Sequence, residues 1–154
     1  MPDTLAASPF RHAAAEEAPA PRRVPGPARP AAPPAAPRLP PELRPVGPPP
    51  APRQGEILAV IVARDEALRL PDCLAAARAL GVDRAIVVDN GSRDATRDAA
   101  IAAGAHVVVA EQDYAAANFG ASWTNALLDS YARGHWVLVL DADEQLIFPG
   151  SDRV

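Results

Sequence analysis

From Ile57 onward the chain alternates between short, wholly apolar runs and longer stretches in which apolar residues recur every third or fourth position. Ile57–Ala63 (Ile-Leu-Ala-Val-Ile-Val-Ala) is the first such run, the pattern of a strand covered on both faces. Residues 68–80 set Leu70, Cys73, Leu74, Ala77 and Leu80 along one helical face, and Gly81 stands where a C-terminal cap belongs. Residues 85–88 read as a second strand. Ser92 is placed to cap a helix over 93–103, with Asp94 near its positive end and Gly104 closing it. His106–Ala110 is a third strand. A helix over 116–133 follows, with Trp123, Leu127 and Tyr131 four residues apart and Gly134 at its end. Residues 136–140 form a fourth, fully apolar strand. This order, β-α-β-α-β-α-β with short links, predicts an α/β fold: a Rossmann-type parallel sheet with helices on both faces and right-handed crossovers.

The pattern is absent from the first third. Of 19 Pro, seventeen lie within the first 52 positions, among Ala, Arg and Glu. Pro locks φ and lacks an N–H, so neither helix nor central strand survives at that density. Few large apolar side chains are present to offset ordering entropy. Residues 1–54 are therefore expected to be a disordered, locally polyproline-like tail, and 55–154 the folded unit. Open α/β domains usually run on past a fourth strand, whereas only fourteen residues follow this one. The folded unit thus reads as truncated at its C-terminal side.

Charge divides at the same place. Residues 1–53 carry seven Arg and four acids, while 54–154 carry eight Arg and fifteen acids. The acidic excess argues against a nucleic-acid partner. The lone Cys73 excludes an internal disulfide and any multi-Cys metal site, and its place on an apolar helix face suggests a buried thiol. No apolar run approaches the roughly 18 residues of a transmembrane segment, and the N-terminus lacks a signal-peptide core. A cytoplasmic location is the expectation.

The polar residues gather where parallel sheets bind ligands, just past the carboxyl ends of the strands. Arg64-Asp65-Glu66 follows the first strand, Asp89-Asn90-Gly91-Ser92 the second, Glu111-Gln112-Asp113 the third, and Asp141-Ala142-Asp143-Glu144 the fourth. Such an edge repels anions unless a divalent cation bridges them to it. Asp141 and Asp143 would point to one side if the strand stays extended, offering hard oxygen donors to Mg²⁺ or Mn²⁺. A solvated acidic turn is the plain alternative. Gly91 supplies backbone freedom to a strand-to-helix turn, and Asp89 could accept from an N–H of a planar base. His106 and His135 fall at strand starts, on the opposite edge, where no ligating role is expected.

Several enzyme classes drop out. All fifteen basic residues are Arg. Phosphatases of the haloacid dehalogenase type and response-regulator receivers both need a Lys, and a P-loop needs Gly-Lys. No Gly lies in 63–69, so the dinucleotide-binding glycine motif is absent after the first strand.

Taken in order, these segments resemble the nucleotide-binding half of family 2 glycosyltransferases, which have the GT-A fold. Val62-Ala63-Arg64-Asp65-Glu66 is similar to the family's first strand followed by Asn-Glu, although an aromatic or small residue often stands where Arg64 does. Val87-Val88-Asp89-Asn90-Gly91-Ser92-Arg93-Asp94-Ala95-Thr96 resembles its Asp-Asp/Asn-Gly-Ser-x-Asp-x-Thr segment. Asn118-Phe119-Gly120 and Asn125-Ala126 resemble the helix before the metal strand, with Thr124 at a position commonly Arg. Asp141-Ala142-Asp143-Glu144 resembles the DxD motif of a bacterial subgroup. The resemblance covers about 55–150 and implies strand order 3-2-1-4. It implies a nucleotide-diphosphate sugar, most often UDP-type, held by Asp65, Glu66, Asp89, Asn90, Gly91, Ser92 and Asp141. Mn²⁺ or Mg²⁺ would sit on Asp141 and Asp143. The glycosyl group would pass to an acceptor hydroxyl that the sequence does not identify, with the general base expected beyond Val154. A catalytically inactive donor- or partner-binding module is the other reading.

Overall fold

The computed structural model describes residues 39–147. Its elements are β1 (Leu43–Val46), β2 (Ile57–Ala63), α1 (Leu70–Ala79), β3 (Arg84–Asp89), α2 (Thr96–Ala102), β4 (His106–Ala110), α3 (Ala121–Tyr131) and β5 (Trp136–Asp141). The α/β class expected from the pattern is what the structure shows. The sheet order is β1-β4-β3-β2-β5. The four strands read from the sequence are β2, β3, β4 and β5; they are parallel and lie in the expected order.

The fifth strand corrects the expected boundary of the tail. Leu43–Val46 pairs antiparallel with β4, Leu43 opposite Ala110 and Val46 opposite Val107. Pro45 is tolerated because β1 is an edge strand, where a missing N–H faces no partner. Leu43 is buried and supplies the apolar anchor. The rest of the expected tail, residues 1–38, lies outside the described residues, as do 148–154.

Two apolar layers cover the sheet. On one face α1 and α2 lay Leu70, Cys73, Leu74, Ala77 and Ala100 over Ala59, Ile61, Val87 and Val107. On the other, α3 places Trp123, Leu127 and Tyr131 against Val60, Ile86, Val88 and Val108, with Leu43 at the margin. Alternate residues of β2 and β3 thus serve opposite layers, which is why both strands read as unbroken apolar runs.

The helices begin later than their periodicity suggests. α2 starts at Thr96, and Ser92 does not cap it. The Ser92 amide instead closes a turn onto Asp89 Oδ1 at 3.0 Å, while Asp94 Oδ1 accepts the Thr96 amide at 2.9 Å. α3 starts at Ala121, because Asn118, Phe119 and Gly120 all take positive φ (52°, 54° and 79°) and cannot continue a right-handed helix.

Candidate functional site

The register sets the site. Val62 of β2 is level with Asp141 of β5, and Ala63 with Asp89 of β3, so all three carboxyl ends emerge at one edge. A cavity of about 260 Å³ opens there, lined by Val62, Ala63, Arg64, Glu66, Asn90, Tyr114, Asp141, Ala142 and Asp143. A second, of about 250 Å³, adjoins it and shares Val62, Tyr114 and Asp141, adding Phe119, Gly120, Thr124, Asn125 and Val139.

The fourth-strand carboxylates reach the cavity by a turn rather than by an extended strand. β5 ends at Asp141, and the Glu144 amide returns to the Asp141 carbonyl at 3.0 Å. The Asp141 amide donates to Glu144 Oε2 at 3.1 Å, so Glu144 closes the turn. Ala142 is tucked into the core while Asp141 and Asp143 stand exposed on either side of it. Beneath them the Cys73 thiol lies 3.8 Å from the Asp141 carbonyl. Burial pushes that thiol above its ordinary pKa, as do the charges of Glu144 and Asp143, so it stays protonated.

Asp89 is occupied otherwise. It is fully buried, with Oδ1 accepting from the Ser92 amide and Oδ2 from Arg97 Nε at 2.8 Å and Nη2 at 2.6 Å. Burial alone would raise its carboxyl; the bonds from Ser92 and Arg97 outweigh this and hold it below the usual carboxylate range. Asp89 does not line either cavity, but Asn90 does. The Asn90 amide is bonded to the Ala63 carbonyl at 2.9 Å, and its Nδ2 donates to the Gln112 carbonyl at 3.2 Å.

Asp65 and Ser92 brace one loop against another. The Asp65 amide donates to Ser92 Oγ at 3.0 Å, and the Arg93 amide to Asp65 Oδ1 at 2.7 Å. Two further bonds extend the seam: Glu66 amide to Thr96 Oγ1 at 2.7 Å, and Ala67 amide to Asp94 Oδ2 at 3.0 Å. Asp65 takes φ 56° to make this crossing. Glu66, at the cavity wall, receives both Nε and Nη2 of Arg69 at 2.6 Å, and Arg69 Nη1 is 3.9 Å from Asp143.

Of the expected site residues, Glu66, Asn90, Asp141 and Asp143 therefore meet around one cavity. Asp65, Asp89, Gly91 and Ser92 line neither cavity: Asp89 is buried, whereas Asp65 and Gly91 are exposed. Reading the sequence alone missed Arg97 as the partner of Asp89 and the bracing by Asp94 and Thr96. The Asp-x-Thr spacing at 94–96 is a local signal that could have shown the brace. Nothing in the spacing marks Arg97, which lies in the first turn of α2. His135 lies at the far edge, its Nδ1 3.1 Å from the Glu56 carbonyl.

A family model described as Glycosyl transferase family 2 matches residues 58–148. This chain belongs to glycosyl transferase family 2. A TPR repeat-containing protein of Synechococcus elongatus is 44% identical over 92 residues, 60% of this chain and 21% of that protein. Among solved structures, mannosyl-3-phosphoglycerate synthase from Rubrobacter xylanophilus matches with 24% identity over 61% of this chain and 32% of its own, at TM-score 0.43. Glucosyl-3-phosphoglycerate synthase from Mycobacterium tuberculosis, in complex with Mn²⁺, UDP and glucosyl-3-phosphoglycerate, matches with 25% identity over 59% of this chain and 36% of its own, at TM-score 0.40. The chain thus spans only about a fifth of its curated relative. The family 2 match runs from the first residues of β2 through the turn after β5, so it encloses both cavities.

Proposed function

We propose that residues 55–154 bind a nucleotide-diphosphate sugar through a divalent cation and serve glycosyl transfer to an acceptor hydroxyl. The observation that carries this is the meeting of Asp141, Asp143, Glu66 and Asn90 around one cavity at the carboxyl edge of a family 2 sheet. With its amide nitrogen committed to Gln112, Asn90 keeps a carboxamide oxygen to accept from the N–H of a planar base such as uracil. Asp89 then acts from behind, holding Arg97 and the Ser92 turn in place. This reading gives the base contact first expected of Asp89 to its neighbour.

The cation fits a shared mode of binding. Among the described residues, no three His, Cys, Asp or Glu side chains converge on one point. Asp141 and Asp143 therefore form a partial donor set of hard oxygens. That suits Mg²⁺ or Mn²⁺, which commonly take one or two carboxylates and complete their shell with phosphate oxygens and water. When bound there, the ion would neutralise charge growing on the departing diphosphate. Asp141 and Asp143 would hold that ion. The turn closed by Glu144 fixes their spacing, and Arg64 also lines the cavity. We place the base that activates the acceptor outside the described residues.

Isothermal titration of the 154-residue chain with a panel of nucleoside diphosphates, with and without Mn²⁺, tests the reading. Metal-dependent heat is expected for UDP, and its loss in Asp143→Ala. Absence of metal-dependent heat for every nucleotide would refute donor binding. Donor binding with neither hydrolysis nor transfer would identify an inactive binding module instead.

A further inference from the structure

We propose that β1, the strand drawn from the proline-rich segment, is a working part of the site: it holds the 111–117 connection that positions Asn90 and Tyr114. For its effect on ligand affinity, this inference rests on the donor-binding reading above.

The path is continuous. β1 pairs with β4 as far as Leu43 opposite Ala110, and one residue further on the Glu111 amide donates to the Glu42 carbonyl at 3.0 Å. Arg44 forms an ion pair with Glu111 across the same two strands. The next residue, Gln112, supplies the carbonyl that holds Asn90 Nδ2. Asp113 then turns the chain, its Oδ1 accepting the amides of Ala115 and Ala116 at 2.9 and 3.1 Å. Tyr114 projects from that turn. Its ring walls both cavities, meets Phe119 edge-on at 5.8 Å and lies 6.0 Å from the ring of buried Trp123.

The Gln112 carbonyl decides which end of the Asn90 carboxamide is offered to a ligand. A loosened 111–117 connection would release both that carbonyl and the Tyr114 wall. Without β1, β4 would be an edge strand, and the connection leaving it would lose the Glu42 carbonyl and the Arg44 charge. Leu43 is the anchor, being buried between the sheet edge and the α3 layer. Arg44 and Glu111 are both largely exposed, so their pair contributes little on its own and the backbone pairing carries the hold.

Two full-length variants test this. Leu43→Asp should undock β1, whereas Arg44→Ala should leave the strand paired. Amide hydrogen exchange without nucleotide is the first readout. Leu43→Asp should raise exchange across 111–117 at least tenfold while β2 and β3 keep their protection, which also shows that the variant is folded. Arg44→Ala should change it less than threefold. UDP titration with Mn²⁺ is the second, with affinity expected to fall five- to tenfold in Leu43→Asp alone. Unchanged exchange at 111–117 in Leu43→Asp, or raised exchange with undiminished UDP affinity, would overturn the proposal. If the unmodified chain binds no nucleotide, the donor reading fails by itself, and the exchange data still decide whether β1 holds the connection. Should Leu43→Asp unfold globally, Leu43→Ala takes its place with the same expectations in direction.

Discussion

The tasks proposed for Asp89, at the end of β3, and Asp143, after β5, are opposite, and substitutions should separate them. Asp89 is buried beneath the cavity with both carboxylate oxygens bonded. Asp89→Asn removes its charge and leaves Arg97 with a neutral partner. Because the guanidinium is partly open to water, the cost should fall below the about 3–5 kcal/mol of a fully buried pair, at about 1–3 kcal/mol by urea denaturation. Asp143 is the converse case. It is exposed and its nearest cation, Arg69, is 3.9 Å away. Asp143→Asn should shift unfolding by no more than about 0.5 kcal/mol, yet abolish metal-dependent nucleotide heat. If Asp143→Asn destabilised as much as Asp89→Asn, the division between support and contact would be wrong.

Between elements, the loops are cross-braced more than capped. The turn after β2 donates three successive backbone amides, those of Asp65, Glu66 and Ala67, to side chains of the turn after β3 and of Thr96 at the start of α2. Thr96→Val deletes the acceptor for Glu66 while keeping shape, and should cost about 1–3 kcal/mol by leaving that amide unpaired. Exchange of the Glu66 amide should rise with it. Before α3, Gly120 has φ 79°, and a Cβ there would stand 3.1 Å from Tyr114 Cε2 and 3.4 Å from Val62 Cγ2. Gly120→Ala should therefore destabilise by about 1–2 kcal/mol from backbone strain alone, and weaken nucleotide binding by displacing Tyr114. Thermal melting and titration on the same preparation would show both effects or exclude the second.

At the level of the whole molecule, the amino edge of the sheet is fastened by the Glu56–Arg84 ion pair. Glu56 is pulled from 4.5 to about 2, chiefly by the Arg84 guanidinium and then by the Arg53 amide. Asp89 and Asp94 are also held low. The unfolded chain takes up these protons at higher pH than the folded one, so stability rises with pH across the interval. The contribution of Glu56 should be complete above about pH 4.5 and vanish as pH falls through about 2. Arg84→Ala should flatten the acid limb of a urea-midpoint profile over that window. A different property marks the opposite border. Among the described residues β5 has no partner on its outer side, and Trp136 and Val139 are 59% and 51% exposed. An uncharged apolar edge invites strand pairing between molecules. Val139→Lys should accordingly lower concentration-dependent light scattering of this chain.

The four parallel strands and the helices between them were legible in the amino-acid sequence. Apolar runs of four to seven residues, separated by 3.6-period segments, have few other ways to bury both faces of a sheet. The carboxylate-bearing edge followed directly, since residues after parallel strands must emerge together. Composition concealed β1: a Pro-rich segment lacks the pattern of an independent strand, and Leu43–Val46 becomes one only because the β4 edge supplies its hydrogen-bond partners. The division of labour between Asp89 and Asn90 was equally hidden. Strand alternation says that they face differently, but only the first turn of α2, which brings Arg97 to one, and the loop after β4, which brings the Gln112 carbonyl beside the other, decide which side chain meets the cavity. Local pattern thus determined the sheet and its functional edge, whereas contacts between residues far apart in sequence decided which of the polar groups there are available to a ligand.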